Sequence, residues 1–282
     1  RAERWGLVAC VAGLVVAIPL VTVVFAPAPK GLAAIPGDGE VLGALVQDPD
    51  ALRVLVVGDS VASTLAFQHP KVSRDGVRLA VRGSTLFGCG IVEGDIRLDG
   101  DWYPAGDRCE GWPALWSKRA EELQPHVSVI LLGAWEVYDR RVDGTLLAVG
   151  TPEYAAYLET RLEIAIKTVS DDGKRPVALL TAPCYQGKLV GERRKWKARN
   201  DPDRREAVNR VIRGVARKHP ESVTLLDLQG YVCPNGTYES SLEGIELHED
   251  GVHYSEEGAH RVWEWMTPEL EALGRPRSPA VP

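Results

Sequence analysis

The chain places a serine where α/β proteins expose nucleophiles. Val54 to Val57 is a run of strand-forming residues that stops at Gly58-Asp59-Ser60 and passes into the helix-compatible Val61-Ala62-Ser63-Thr64-Leu65-Ala66. A serine on such a turn sits at the carboxyl end of a buried strand, and the positive end of the next helix points at it. The competing reading is a turn whose Gly, Asp and Ser serve turn geometry alone. Near the other end of the chain, Asp250 and His253 share one short segment, just before a helix start with Ser255 as N-cap. In such a pair the carboxylate holds one imidazole nitrogen while the other faces a serine brought from elsewhere. Ser60, His253 and Asp250 are therefore a candidate nucleophile, general base and orienting carboxylate.

With these two blocks in this order, the chain resembles the SGNH (GDSL-type) hydrolase superfamily over roughly residues 50–272. That family opens with Gly-Asp-Ser after its first strand and closes with Asp-x-x-His before its last helix. The resemblance implies an acyl-serine mechanism on Ser60, with the Ser60 N–H and a glycine N–H of a second block in the oxyanion hole. The second block falls in Leu86-Phe87-Gly88-Cys89-Gly90, where Gly88 is favoured over Gly90. The third block, usually Gly-x-Asn-Asp, appears as Gly133-Ala134-Trp135-Glu136, so the oxyanion asparagine is replaced by Trp135. Losing one such donor costs on the order of a hundredfold in turnover, about 3 kcal/mol. Three roles remain open for Trp135: an indole donor to the oxyanion, a platform for a sugar ring, or a core residue capping the sheet. Asp59, beside the nucleophile, is assigned with Trp135 to substrate binding.

The elements that would carry these residues alternate strand and helix. Strands are expected near 53–57, 77–82, 127–132, 177–181 and 223–227, and helices near 61–67, 112–123, 152–169, 202–218 and 255–273. The expectation is an α/β fold, a three-layer α/β/α sandwich on a five-stranded parallel sheet of flavodoxin-like order, spanning 52–273. Trp5 to Ala26 is an uncharged apolar run of bilayer-spanning length, with Arg1 and Arg4 before it and Pro27, Pro29 and Lys30 after it. It reads as one transmembrane helix (1–27) that leaves the rest extracytoplasmic, with a signal peptide as the competing reading. Residues 28–51 read as a linker and 274–282 as a disordered tail. The chain starts with Arg, which suggests the end of a longer polypeptide. A last span, a Pro-rich linker and an SGNH domain together resemble the carboxy-terminal part of acyltransferase-3 membrane proteins.

Cysteine usage suits an outward face. Cys10 lies in the apolar run. In a flavodoxin-like sheet the fourth and fifth strands are neighbours, and Cys184 and Cys233 follow them. Cys89 and Cys109 bracket one Gly- and Asp-rich loop. The expected pairs are Cys89–Cys109 and Cys184–Cys233, and the spacing lacks the paired Cys units of a zinc site.

With 33 basic and 39 acidic residues the chain is net acidic, which disfavours nucleic acid as a partner. The basic stretch Lys188 to Arg199 around Trp196 reads either as a rim for an anionic partner or as a solvated loop. Trp102, Tyr103, Trp112 and Trp116 read as a sugar or acyl groove beside Gly88 or, from the helical spacing of the last two, as core. The function expected is serine-dependent O-acyl transfer, with acetyl as the expected group, to a cell-envelope glycan. It would need an acyl donor, an upstream acyltransferase-3 membrane domain and no cofactor. The alternatives are a membrane-anchored carbohydrate O-acyl esterase and an inactive glycan-binding domain on the same scaffold. A metal site on His248, Asp250 and His253, with Glu246, is a further alternative whose spacing permits it.

Overall fold

A computed structural model describes residues 48–104, 109–187 and 197–275. The expected membrane span, most of the linker, most of the tail and residues 188–196 of the basic stretch lie outside the described residues. In chain order the elements begin β1 (Leu52–Gly58), α1 (Ser60–Phe67), β2 (Leu79–Thr85), β3 (Asp95–Leu98) and β4 (Asp101–Tyr103). Then come α2 (Trp112–Leu123), β5 (Val127–Leu131), β6 (Arg140–Val142), β7 (Thr145–Leu147) and α3 (Pro152–Ser170). The remainder is β8 (Val177–Leu180), α4 (Pro202–Lys218), β9 (Val223–Leu226), α5 (Leu228–Val232), β10 (Ser241–Leu242), β11 (Ile245–Glu246) and α6 (Glu256–Gly274). Among the described residues no helix is long and apolar enough to cross a membrane.

The central sheet is parallel and five-stranded, in the order β2-β1-β5-β8-β9. Alternation along β1 explains its layers. Val54 and Val56 face a core shared with α1 and α6, whereas Leu55 and Val57 face a second core shared with α2, α3 and α4. A strand buried on both faces needs an unbroken apolar run, which is why Val54 to Val57 shows no polar alternation. This is the expected three-layer sandwich. The loops leaving the carboxyl ends of β1, β2, β5 and β8 consequently gather at one edge, the place such folds reserve for ligands.

A second, antiparallel sheet of order β4-β3-β6-β7 was not expected from the sequence. It is assembled from the segments that follow β2 and β5, with Ile96 opposite both Tyr103 and Arg140. Trp102 lies here, beneath the guanidinium groups of Arg97 and Arg141 at 5.9 and 4.8 Å from its ring. Trp112 and Trp116 are fully buried against each other, 4.6 Å between ring centroids, so they belong to the core and line no groove.

Both expected disulfides are present. Cys89 joins Cys109, fastening the segment after β2 to the start of α2, and Cys184 joins Cys233, tying the segment after β8 to the end of α5. The second closes a loop with a sequence separation of 49, for which chain-entropy arguments give about 4 kcal/mol of stabilisation. Replacing Cys184 and Cys233 together by serine should therefore lower stability by up to about 4 kcal/mol in urea titrations. Non-reduced peptide mapping should recover both linked pairs; four free thiols would contradict the pairing.

Candidate functional site

Asp59 begins the site as the N-cap of α1, its side chain accepting from the Val61 N–H at 2.8 Å. Ser60, the first helical residue, is half-buried and open at the sheet edge. The chain reaches this turn through Gly58, whose φ of +146° disfavours any side chain and whose added Cβ would lie 1.8 Å from the Leu131 carbonyl oxygen. Only glycine lets β1 close against β5 immediately before the serine.

His253 arrives from a loop closed on itself. The Glu249 N–H donates to the His253 carbonyl at 3.0 Å, and the Ser255 N–H donates to the Leu247 carbonyl at 3.0 Å. The Tyr254 N–H donates to Thr64 Oγ1 at 3.2 Å, and Trp263 Nε1 donates to the Leu65 carbonyl at 2.8 Å, so loop and α6 are both fastened to α1. On the other side, the Gln186 N–H donates to the Gly251 carbonyl at 2.9 Å, two residues beyond the Cys184–Cys233 disulfide.

These constraints bring the three expected residues together. His253 Nε2 lies 2.9 Å from Ser60 Oγ, and His253 Nδ1 lies 2.8 Å from Asp250 Oδ2. The other Asp250 oxygen accepts from the N–H groups of Val252 and His253, at 2.9 and 2.8 Å. Partial burial opposes its charge, but the His253 side chain and these backbone donors hold the Asp250 carboxyl well below the usual carboxylate range. An ionised carboxylate only accepts, which places the imidazole proton on Nδ1 and leaves Nε2 to accept the serine hydroxyl proton.

Asp59 departs from its expected role. It is fully buried, and besides capping α1 it accepts from the Ala134 N–H at 3.1 Å. With both oxygens used and no exposed surface, it joins the first block to the third and does not meet substrate. Burial, with the negative charge of Glu136 adding to it, pushes its carboxyl up to about 7 against the opposing pull of backbone N–H groups and Arg199.

Glu136 is the residue that the sequence reading missed. It too is fully buried, with one oxygen accepting from the Gly133 N–H at 2.7 Å and the other from the Ile91 N–H at 2.9 Å. Its carboxylate thus links the third block to the second, and an added Cβ on Gly90 would lie 1.8 Å from it. Gly90 is glycine because the backbone presses on this carboxylate. Gly88 lies two residues earlier in an exposed turn, with φ +79°.

Trp135 is partly exposed, with the Arg199 guanidinium 4.9 Å from its ring centroid and the Tyr138 ring at 5.8 Å. Arg199, the last residue of the basic stretch, is itself 5% exposed and donates from Nε to the Ala134 carbonyl at 2.9 Å. It belongs to the third-block packing and not to a solvated rim. A Glu in place of the usual Asp of that block was the available signal for Glu136; nothing in the basic run marked Arg199.

The metal alternative is not assembled. His253 spends its two ring nitrogens on Asp250 and Ser60. The His248 ring is buried between Tyr238 and Tyr254, at 5.6 and 4.8 Å, and burial lowers its pKa to about 4. Among the described residues no cluster of three metal-ligating side chains occurs.

Two consequences are measurable. Glu136→Gln presents an amide N–H to one of two buried backbone N–H donors, and should lower stability by about 1–3 kcal/mol in urea titrations. His248 binds its proton more tightly in the unfolded chain (6.5) than in the folded one (about 4), so stability should fall as pH drops through that window. His248→Phe should remove up to about 3 kcal/mol of that dependence, read by urea titration at pH 7 and pH 4.

Comparison with known proteins gives a family and a set of structures of similar fold. A family model described as "SGNH domain (fused to AT3 domains)" matches residues 31–267. Among solved structures, an aryl esterase of M. smegmatis superposes with a TM-score of 0.50 at 14% identity, covering 79% of this chain and 100% of that one. A GDSL-like lipase from Bacteroides thetaiotaomicron gives 0.48 at 16% identity, with 78% and 88% covered. The periplasmic domain of a lipopolysaccharide acetyltransferase from Salmonella ser. Paratyphi A gives 0.47 at 12% identity, with 82% and 94% covered. A search of curated proteins gave no match. With a site built on Gly58-Asp59-Ser60 and Asp250 to His253, and a family match over most of its length, the chain belongs to the SGNH family, in the group whose SGNH domain is fused to AT3 domains.

Proposed function

We propose that the protein is a serine O-acyltransferase of cell-envelope glycans, working through an acyl-Ser60 intermediate. The observation that carries this reading is the single imidazole of His253 bridging Ser60 Oγ and Asp250 Oδ2 at hydrogen-bond distance on both sides. Ser60 Oγ attacks the ester carbonyl of the acyl donor as His253 Nε2 takes its proton, and the nearby Asp250 carboxylate stabilises the imidazolium. The tetrahedral intermediate collapses, the donor oxygen leaves with the proton held on Nε2, and the acyl group remains on Ser60. An acceptor hydroxyl then gives its proton to Nε2 and attacks the acyl-enzyme, and the proton returns to Ser60 as the new ester departs. Backbone N–H groups of Ser60 and the second block, with Gly88 as the favoured partner, receive the oxyanion. Trp135 takes no asparagine-like part; its ring is a wall for the acceptor.

Hydrolysis uses the same groups, with water in place of the sugar hydroxyl. Fusion to AT3 domains in the matched family favours transfer, with acyl groups delivered from a membrane domain to an extracytoplasmic acceptor.

Ser60→Ala should lower p-nitrophenyl acetate cleavage by at least about a thousandfold while leaving the circular dichroism spectrum unchanged. A fluorophosphonate probe should label the wild type on Ser60 and leave the variant unlabelled. Undiminished cleavage by Ser60→Ala would sink the assignment.

A further inference from the structure

Tyr138 is 1% exposed, yet its hydroxyl has no hydrogen-bond partner among the described residues. An unpartnered buried hydroxyl costs about 1–3 kcal/mol, so its persistence asks for a use. Tyr138 lines a cavity of about 370 Å³ whose wall also includes Arg97, Asp139, Lys197, Asp201 and Arg204. Those residues come from the segments that follow β2, β5 and β8, at the same end of the sheet as Ser60 and His253. The Tyr138 ring also packs 5.8 Å from Trp135 and within 6.0 Å of the Arg199 guanidinium, which makes this wall continuous with the third block.

Three of the polar lining residues are held in place. Arg204 donates to Asp139 Oδ1 at 2.8 Å and to the Val137 carbonyl at 3.0 Å, while the Val149 N–H donates to the same Asp139 oxygen at 3.0 Å. Asp201 is held as the N-cap of α4, accepting from the Asp203 and Arg204 N–H groups. Three cations, Arg97, Lys197 and Arg204, are matched by three carboxylates once Asp99 is counted with Asp139 and Asp201. A phosphate or a carboxylated ligand would meet those carboxylates. Closely spaced donors and acceptors beside one aromatic ring suit a ring of hydroxyls, each of which both donates and accepts.

We propose that this cavity is a subsite for one neutral sugar ring of the acceptor, with the Tyr138 hydroxyl as one of its hydrogen-bond partners. The inference rests on the acyl-transfer reading of Ser60 and adds the location and charge class of the acceptor. In the ester-cleaving direction the subsite distinguishes a sugar ester from a simple one.

The test compares the full chain with Tyr138→Phe, Lys197→Ala and the double variant on two kinds of ester. One is p-nitrophenyl acetate, which carries no sugar. The other is a set of mono-O-acetylated methyl hexosides of gluco, galacto and manno configuration. The ratio of kcat/KM for the best hexoside acetate to that for p-nitrophenyl acetate should fall about fivefold in Tyr138→Phe and about twentyfold in the double variant. The change should appear in KM for the hexoside more than in kcat. An unchanged ratio overturns the subsite. So does an equal fall on both esters in Tyr138→Phe, which would mark a structural role. A wild type that cleaves p-nitrophenyl acetate but none of the three hexoside acetates overturns it as well. A wild type inert on every ester and unlabelled by fluorophosphonate sinks the nucleophile reading, and the subsite with it.

Discussion

Two carboxylates buried at the carboxyl edge of the sheet hold together the segments that leave β1, β2 and β5. Asp59 accepts from Val61 and Ala134, and Glu136 accepts from Gly133 and Ile91. The first link runs from the serine turn to the segment after β5, and the second from that segment to the one after β2. A carboxyl buried without hydrogen-bond partners is costly whether it stays ionised or takes up a proton, so an arrangement that opens these bonds is disfavoured. The group that is most expensive to bury is thus the one that specifies loop position. The rise of the Asp59 carboxyl to about 7 records what its backbone partners do not offset, namely burial and the like charge of Glu136. Ser60 follows Asp59 directly in the chain, so its place is set by a side chain that takes no part in the proposed chemistry.

Asp250 is the counterpart. Both aspartates lie within the same small region, yet their surroundings push them in opposite directions. Asp59 is fully enclosed near another carboxylate and moves up, whereas Asp250 faces an imidazole and two backbone donors and moves down. Separation of this kind assigns roles. A carboxylate kept ionised beside His253 suits the stabilisation of an imidazolium, and a carboxyl near neutrality in a closed pocket suits a structural bond. The residue type is the same for the two, and burial together with the neighbouring charge distinguishes them.

That contrast explains what could be read from the chain. The sheet order, the serine turn and the Asp250–His253 loop were legible because each is a local pattern at an element boundary: an apolar run that ends in Gly-Asp-Ser, or Asp-x-x-His before an N-cap. The disulfides followed once the order of the strands was assumed. Asp59 was misread as facing substrate because the Ala134 N–H that encloses it comes from a distant strand end, and no local spacing reports such a contact. Glu136 and Arg199 were passed over because a charged residue is expected at the surface, and both are buried. The antiparallel sheet escaped notice because strands of three or four residues are too short for alternation to emerge, and three of them begin with arginine or aspartate.

The replacement at Trp135 gains a physical reading from the same packing. In the family pattern a third-block side chain donates toward the oxyanion; here the backbone of the block keeps its place through Asp59, Glu136 and Arg199 without help from residue 135. The side chain carries an aromatic surface, braced by the Arg199 guanidinium on one side and Tyr138 on another. An acyl-enzyme that is to be intercepted by a sugar instead of water needs an acceptor held in place before attack, and holding a sugar takes aromatic area and fixed polar groups more than an additional oxyanion donor. A weaker oxyanion hole slows formation and breakdown of the acyl-enzyme with either nucleophile, whereas a better-held acceptor favours the sugar alone. A trade of the first for the second shifts partitioning toward transfer, which is the sense in which the departure from Gly-x-Asn-Asp fits the function proposed for this chain.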